Sequence, residues 1–555
     1  MHRRHFIKAS GLSLAGLLIA DYIKAGDKKN LIIQMPDRVE ILSDDKYFFL
    51  HTSDQHTWTF KDVIVELKKH DDKISIHIQS PVSSLKEIRL SWKYNFKNNA
   101  NILGDHWERT YGDVSWQKIN ATKKLPWYCI AYDNKNTTCF GVKTGCNTIC
   151  HWQIANDKIQ LTLDTRTGGN GVHLQKRVLH AGDIVTTQNE NNENVFATVR
   201  RFCSQMCDNP RLTEKPVYGI NDWYFAYGNN SAELILETTS LMAELVSNST
   251  NLPFSVIDAG WAIKSPAMPD DCCWGNDFAV PNSKFGDMKK LSDDIKKLGM
   301  RPGLWTRPLC AKYNDKKNLL MASIPGRDDP KMPLLDPTIQ ENIERVKNLW
   351  NSYHQWGFEM VKHDFTSYDI FGRWGFQMEN GITPSGWQFN DNTKTNAEII
   401  LNLYNNIREA AGSMYLIGCN TLSHLSAGIF ELNRIGDDTS GKDWDRTRKM
   451  GVNTLGFRMV QHETFYEADG DCVGLTKDVP WIKNKQWMEL LAKSSAPLFI
   501  SAQPEAIGEE QKQFIKESFT HAARAQPIAE PMDWLTNQFP SKWKLDSQAV
   551  DFDWS

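Results

Sequence analysis

The chain is notable first for what it lacks. Its 555 residues carry a net charge of only −3, which gives no basic surface of the kind that nucleic acid or an anionic membrane selects. No Gly-rich turn follows a strand, so a nucleotide cofactor is not indicated. No Gly-x-Ser-x-Gly elbow precedes a helix, which disfavours Ser/His/Asp chemistry. There are eleven cysteines, an odd number, so at least one is unpaired or bridges two chains. Cys146 and Cys150, and Cys203 and Cys207, are spaced four apart, and Cys272 and Cys273 are adjacent. None of these has zinc-finger spacing supported by histidine, so no metal and no other cofactor is expected.

The amino terminus reads MHRRHFIKAS and then GLSLAGLLIA. A basic segment before a short apolar run is the pattern of an export signal, and the run is too short to cross a membrane as a helix. Arg3–Arg4 followed by Phe6, Ile7 and Lys8 resembles a twin-arginine signal; an ordinary signal with an incidental arginine pair is the alternative. Residues 1–25 are therefore expected to direct a bacterial protein to the periplasm or the outside. No integral membrane segment is expected in the mature chain. A content of 41% hydrophobic and 24% charged residues is that of a globular protein. The 20 tryptophans suit either large cores or flat faces for stacking on sugar rings.

A chain this long exceeds one core, so several domains are expected. Residues 30–212 alternate polar and apolar with period two in DVIVELKK, KISIHIQS, KEIRLSWKYNF and KIQLTLDTRT, with Asp, Asn, Ser and Pro turns between. The pattern predicts an all-β sandwich with no convincing long amphipathic helix. Within it, ILGDHWERTYGDVSWQ (102–117) has no period and reads either as a loop over the neighbouring pocket or as an interdomain spacer. From 216 to 525 short apolar strands alternate with helices. One helix should present Leu234, Leu241 and Leu245, and another Phe285, Met288, Leu291, Ile295 and Leu298. Eight strand segments predict a (β/α)8 TIM barrel, with an open doubly wound sheet as the alternative. Residues 526–555 form a carboxy-terminal tail, and the roughly 40 residues after the last barrel strand are expected to be too few for a β-domain.

The chemistry collects at FEMVKHDFTS (358–367), an apolar strand that ends in Lys362, His363 and Asp364. Alternation puts Lys362 and Asp364 on one face and His363 on the other. A lysine beside an aspartate keeps the carboxylate ionised and placed, as a nucleophile requires; a strand-end salt bridge without chemistry is the alternative. The other strand ends supply Trp223, Asp258 with Trp261, Trp305 with Arg307, Cys419 with Asn420, and Arg434 with Asp437 and Asp438. Asp364 on the fourth strand and the 437–438 pair on the sixth can face each other across a pocket, as two carboxylates flanking a glycosidic bond do. His462 and Glu463 are assigned a substrate-contact or structural role rather than a metal one.

In order along the chain, VIDAGW, RPGLWTRP, LLDPT, VKHDF, IGCN, RIGDDT, FYEADGDCVGL and KSSAPLFIS resemble the strand motifs of the clan D glycoside hydrolases. These are the melibiase-type α-galactosidases of families 27 and 36, and the leading sandwich is similar to that of family 36. The resemblance implies a retaining exo-glycosidase acting on terminal α-linked galactose-type sugars. It implies Asp364 as nucleophile, Asp437 as acid/base, and Lys362 and Cys419 at the sugar; the strand-end reading adds Asp258, Trp223, Trp261, Trp305 and Arg434 around the substrate and, because adjacent aspartates are not ranked by sequence, Asp438 as the fallback acid. The partner is then a carbohydrate, and an oligomer is compatible with this reading. The chain departs from the clan at Ala259, where a second aspartate is expected, so α-N-acetylgalactosamine or β-L-arabinopyranose is an alternative sugar. A glycan-binding homologue without turnover is a second alternative.

Overall fold

The computed structural model describes residues 31–246, 250–266, 273–327 and 332–555. The export-signal segment lies outside the described residues, as does Cys272. Among the described residues no helix is long and apolar enough to cross a membrane.

The amino-terminal part is built from two antiparallel sheets of six and eight strands. Its strands follow the period-two reading. In Val63–Lys69, Val65 and Leu67 are buried while Lys68 and Lys69 are exposed. Phe140 of the larger sheet meets Trp152 of the smaller with ring centroids 6.0 Å apart, so the two inner faces share a core. One expectation fails here: Val195–Met206 is a 12-residue helix, capped by the Asn194 side chain accepting from the Ala197 amide. It buries Val195, Phe196, Val199, Phe202, Cys203 and Met206. Those positions follow the helical repeat, but two β-branched valines, a threonine and a cysteine in the stretch mask it.

The second part holds a nine-stranded sheet whose neighbouring strands all pair in parallel. Its strands are short and buried throughout, as Phe254–Ile257 and Met360–His363 illustrate, because helices cover them. In spatial order they run Glu467–Asp469, Leu432–Arg434, Tyr415–Gly418, Met360–His363, Arg301–Thr306, Phe254–Ile257, Tyr218–Asn221, Leu498–Ala502 and Cys472–Leu475. The two edge strands are consecutive in the chain, separated only by Gly470 and Asp471, so the sheet is curled. The intervening helices carry the expected signals. Thr395 and Glu398 form a capping box at Asn396–Ala411, and Asp287 caps Met288–Lys297, which buries Met288, Leu291 and Ile295. The helix Ala232–Ala243 is rotated from the expected leucine face. It buries Ile235, Thr238, Thr239 and Met242 because both threonine hydroxyls bond back to helix carbonyls and can leave water.

The carboxy-terminal residues form a three-stranded antiparallel sheet, Glu530–Pro531, Lys542–Leu545 and Gln548–Asp551. Just inside its first strand, Trp534 packs on Trp116 and Phe196 of the amino-terminal part and on Phe457 of the parallel-sheet part. Six tryptophans are among the largest fully buried side chains (Trp127, Trp152, Trp261, Trp350, Trp487 and Trp543), so much of the tryptophan content is core. Cys129, Cys139, Cys146, Cys150, Cys203, Cys207, Cys419 and Cys472 are buried thiols.

His462 and Glu463 sit beside Glu467, the first residue of its parallel strand and so at the end of the sheet away from the strand carboxyl termini. His462 Nδ1 accepts from the Ala468 amide at 3.0 Å and Nε2 meets Ser495 Oγ at 2.7 Å, so both ring nitrogens serve the fold. Burial and the nearby Glu463 push Glu467 up to about 8. Between the unfolded carboxyl value of about 4.3 and 8, the folded chain keeps a proton that the unfolded chain has lost. Stability from this group therefore falls as pH rises through that window. Replacing Glu467 with Gln should remove the fall: Tm of the variant relative to the wild type should rise steadily from pH 5 to 8 by calorimetry, and a constant difference would refute the assignment.

Candidate active site

The carboxyl ends of the parallel strands bring most of the expected residues together. At the second strand end, Asp258 is buried and accepts from Lys362 Nζ at 2.7 Å and from Asn221 Nδ2 at 2.7 Å. Its other oxygen accepts from the Ala259 amide. Burial pulls Lys362 down, but the Asp258 carboxylate outweighs it and holds the lysine well above its ordinary range. Lys362 thus spans from the fourth strand to the second and carries a fixed positive charge at the pocket floor. His363 points the other way. It is fully buried among Trp350, Tyr404 and Phe430, hydrogen-bonds Thr366 Oγ1, and is pushed down to about 3 by burial.

Asp364 closes the fourth strand with its amide on Thr306 O. Its Oδ1 accepts from the Phe365 amide at 2.7 Å and its Oδ2 from Trp305 Nε1 at 3.2 Å. Two donors fix the carboxylate while it stays half-buried rather than sealed. Phe365 pays for this turn with a left-handed backbone, φ 64°, a conformation that costs a bulky residue about 1–3 kcal/mol. Its ring is held over the Arg307 guanidinium at 4.1 Å and against Trp305 and Trp374. Arg307 itself is buried and bonded to Asp369, which also takes Arg327, so it supports Phe365 from below.

Three expected residues occupy supporting rather than open positions. Trp261 is fully buried, donates to Trp305 O at 2.9 Å and is enclosed by Phe278, Tyr353 and Trp356, so it positions Trp305. Arg434 is buried, with Nη2 2.7 Å from Asp471, Nε 3.3 Å from Asp469 and Nη1 3.3 Å from Asp438. Cys419 is buried, and burial together with the Asp364 charge keeps its thiol neutral. Trp223 is half-buried, its amide bonded to Asn221 Oδ1 and its ring beside Tyr227.

The adjacent aspartates of the sixth strand end differ sharply. Asp437 Oδ1 lies 2.6 Å from Arg109 Nη2 and its Oδ2 2.9 Å from Arg446 Nη2, so both oxygens are engaged. The Asp438 side chain is 39% exposed, and only Oδ1 meets cations, Arg434 at 3.3 Å and Arg109 at 3.7 Å. Burial raises the Asp438 pKa, but Arg109, Arg434, Lys362 and Arg446 outweigh it and hold the carboxyl below the usual range.

Sequence reasoning did not assign Arg109, Trp374, Arg446, Asp469, Asp471 or Asp222. Arg109 comes from the stretch expected to be a loop over 102–117, whose charged and aromatic density was its one visible signal; its ends are in fact strands, Asn101–Gly104 and Gln117–Lys118, that pair antiparallel, so the loop proper is 105–116. Asp222, at the first strand end, is buried, accepts from the Asp258 amide at 2.7 Å and from Asn230 Nδ2 at 2.6 Å, and is pushed up to about 7 by burial and the Asp258 charge.

No family model and no curated protein matches the chain. Solved structures do. The α-galactosidase TtGalA from Thermus thermophilus, in complex with p-nitrophenyl α-D-galactopyranoside, aligns with a TM-score of 0.60 at 14% identity over 93% of this chain and 99% of that one. The family 36 α-galactosidase AgaA from Geobacillus stearothermophilus, as a variant bound to 1-deoxygalactonojirimycin, gives 0.56 at 11% identity over 89% and 74%. The galactosidase domain of the α-galactosidase–sucrose kinase AgaSK gives 0.53 at 13% identity over 89% and 73%. At these identities the likeness is one of fold: the chain has the fold of the family 36 α-galactosidases.

Cutting Lys362 back to Met would leave Asp258 buried without its cation. Loss of one partner of such a pair costs about 3–5 kcal/mol. Denaturant unfolding should show a loss of that order, and a loss below about 1 kcal/mol would mean that the pair is hydrated.

Proposed function

We propose that this protein is a retaining exo-glycosidase of α-galactosidase type, releasing terminal α-linked galactose-type sugars from oligo- or polysaccharides. The curled parallel sheet is read as a (β/α)8 barrel at 216–525 whose seventh strand is split at Gly470–Asp471. It follows a sandwich unit at 30–212, in a chain exported by its amino-terminal segment. The observation that carries the reading is the Asp364 carboxylate, half-buried at a strand end and aimed by Trp305 and the Phe365 amide.

Asp364 attacks the anomeric carbon as the glycosidic bond breaks, and a carboxylic acid protonates the departing oxygen. Water then displaces Asp364 from the covalent intermediate while the same carboxylate takes the water's proton. Asp438 is the more accessible acid of the pair, because two arginines hold both Asp437 oxygens whereas Asp438 keeps one oxygen clear of any ion pair, and since the surrounding cations hold its carboxyl low, turnover should be confined to acidic pH. Lys362 is placed to bind a sugar hydroxyl. Ala259 brings no carboxylate beside Asp258, which favours a second reading in which the mechanism stands and the sugar is α-N-acetylgalactosamine or β-L-arabinopyranose.

The test is hydrolysis of a panel of aryl glycosides, comprising α-galactoside, α-N-acetylgalactosaminide, β-L-arabinopyranoside and α-glucoside, and of an unactivated galacto-oligosaccharide. Asp364→Asn should abolish turnover with an unchanged melting curve. Asp438→Asn should lower kcat on the oligosaccharide by about 10²–10⁴-fold, the usual worth of a general acid, and Asp437→Asn by much less. Near-normal turnover by Asp364→Asn, or no hydrolysis of any substrate by the folded wild type, would overturn the proposal.

A further inference from the structure

One wall of this site comes from outside the parallel sheet. Thr110 donates its amide to Ile435 O at 2.8 Å and accepts from the Asp437 amide at 2.9 Å, a parallel bridge that ties the 102–117 loop to the end of the sixth strand. On one side of it Glu108 is fully buried. Its Oε1 accepts from the Gly375 amide at 2.7 Å and its Oε2 from Asn420 Nδ2 at 2.6 Å. Arg458 donates to Glu108 O and pairs with Asp105. On the other side Gly112 has φ 75°, and a Cβ there would lie 2.6 Å from Lys449 Cβ. Arg109 between them is therefore fixed. Its side chain is 7% exposed, its Nη1 lies 3.8 Å from Cys419 Sγ and 3.7 Å from Asp438 Oδ1, and its Nε has no partner among the described residues. The guanidinium centre is 5.5 Å from the Trp374 ring centroid.

We propose that Arg109 is a positioning residue for the acid Asp438, tying up Asp437 in an ion pair and setting, from the amino-terminal part of the chain, the pH range over which Asp438 carries its proton. The inference rests on the glycosidase reading with Asp438 as acid. It explains why an arginine from another unit is built into a site that already contains Lys362 and Arg434. With both Asp437 oxygens committed, one carboxyl of the adjacent pair is left to exchange protons with a leaving group.

The charges facing Asp438 come from every element around it. Arg434 lies on its own strand end, Arg109 on the loop, Lys362 on the fourth strand and Arg446 on the following helix. Tyr224 and Tyr227 approach from the first strand end, and the carboxylates Asp437 and Asp471 lie beside it or across Arg434. Loss of Arg109 removes a cation from beside Asp438 and leaves the neighbouring Asp437 paired to Arg446 alone. Both changes stabilise the protonated acid, so its pKa rises and the alkaline limb of kcat/KM moves to higher pH.

The experiment uses the full chain with Arg109→Gln and Arg109→Lys. In the Gln variant the alkaline limb should move up by about one pH unit, the effect of one charge at this range, with the Lys variant between it and wild type. At neutral pH, above the wild-type limb, kcat/KM of the Gln variant should therefore rise for an unactivated galacto-oligosaccharide and change little for a dinitrophenyl galactoside, whose departure needs no proton. Equal losses for both substrates with an unmoved limb would reduce Arg109 to a structural tie. A second readout needs no turnover: the protonated-carboxyl infrared band of Asp438, taken as the difference from Asp438→Asn, should titrate about one unit higher in Arg109→Gln, and an unshifted midpoint would overturn the proposal. If Asp364→Asn and Asp438→Asn both keep hydrolysis, the catalytic assignments fail, and if the folded wild type hydrolyses no substrate the glycosidase reading fails, while in either case the infrared titration still reports on Arg109.

Discussion

Charge compensation away from water is the constraint on which this structure depends. Asp258, Asp469 and Asp471 are all buried at the ends of parallel strands, where an unpaired carboxylate would be strongly disfavoured. Lys362 answers the first and Arg434 the other two. Arg434 also reaches Asp438, and Arg109 reaches both Asp437 and Asp438. The result is a lattice in which each long side chain spans from one strand or loop to another. Charges paired this way are held in fixed orientations by the fold itself.

Much of this was legible in the sequence because the signals were local. The period-two strands of the first part, the strand–helix rhythm of the second, and the ends carrying Asp258, Asp364 and Arg434 each announce themselves within ten residues. Lys362 and Asp364 on one face and His363 on the other follow from strand alternation alone, and His363 is indeed packed against outer helices. What escaped was non-local. Nothing near Arg109 in the chain says that its partner is Asp437. Nothing in the adjacent aspartates says which one two arginines will hold, since that depends on a loop from another unit and a helix that follows. Trp261 read as a sugar platform because its neighbours Phe278, Tyr353 and Trp356, which wall it in, are scattered through the sequence.

The helix at Val195–Met206 and the rotated face at Ala232–Ala243 failed for a different reason. In both, residues of modest helix propensity are stabilised by tertiary burial or by side-chain bonds to the backbone, which no window of sequence contains.

The Thr110–Gly436 bridge also bears on how the molecule comes to be made. Arg109 and Cys419 touch across 310 residues of chain, and the loop that joins them is bonded by backbone to the sixth strand end rather than merely resting on it. Contacts of such sequence separation form only after large loops have closed, so they belong to the late stages of folding. During synthesis the Arg109–Thr110 segment can form its amino-terminal contacts early, but its bonds to Ile435 and Asp437 must wait until more than three hundred further residues have emerged. The pocket is therefore among the last features to appear, and its completion reports that both halves of the chain have found each other.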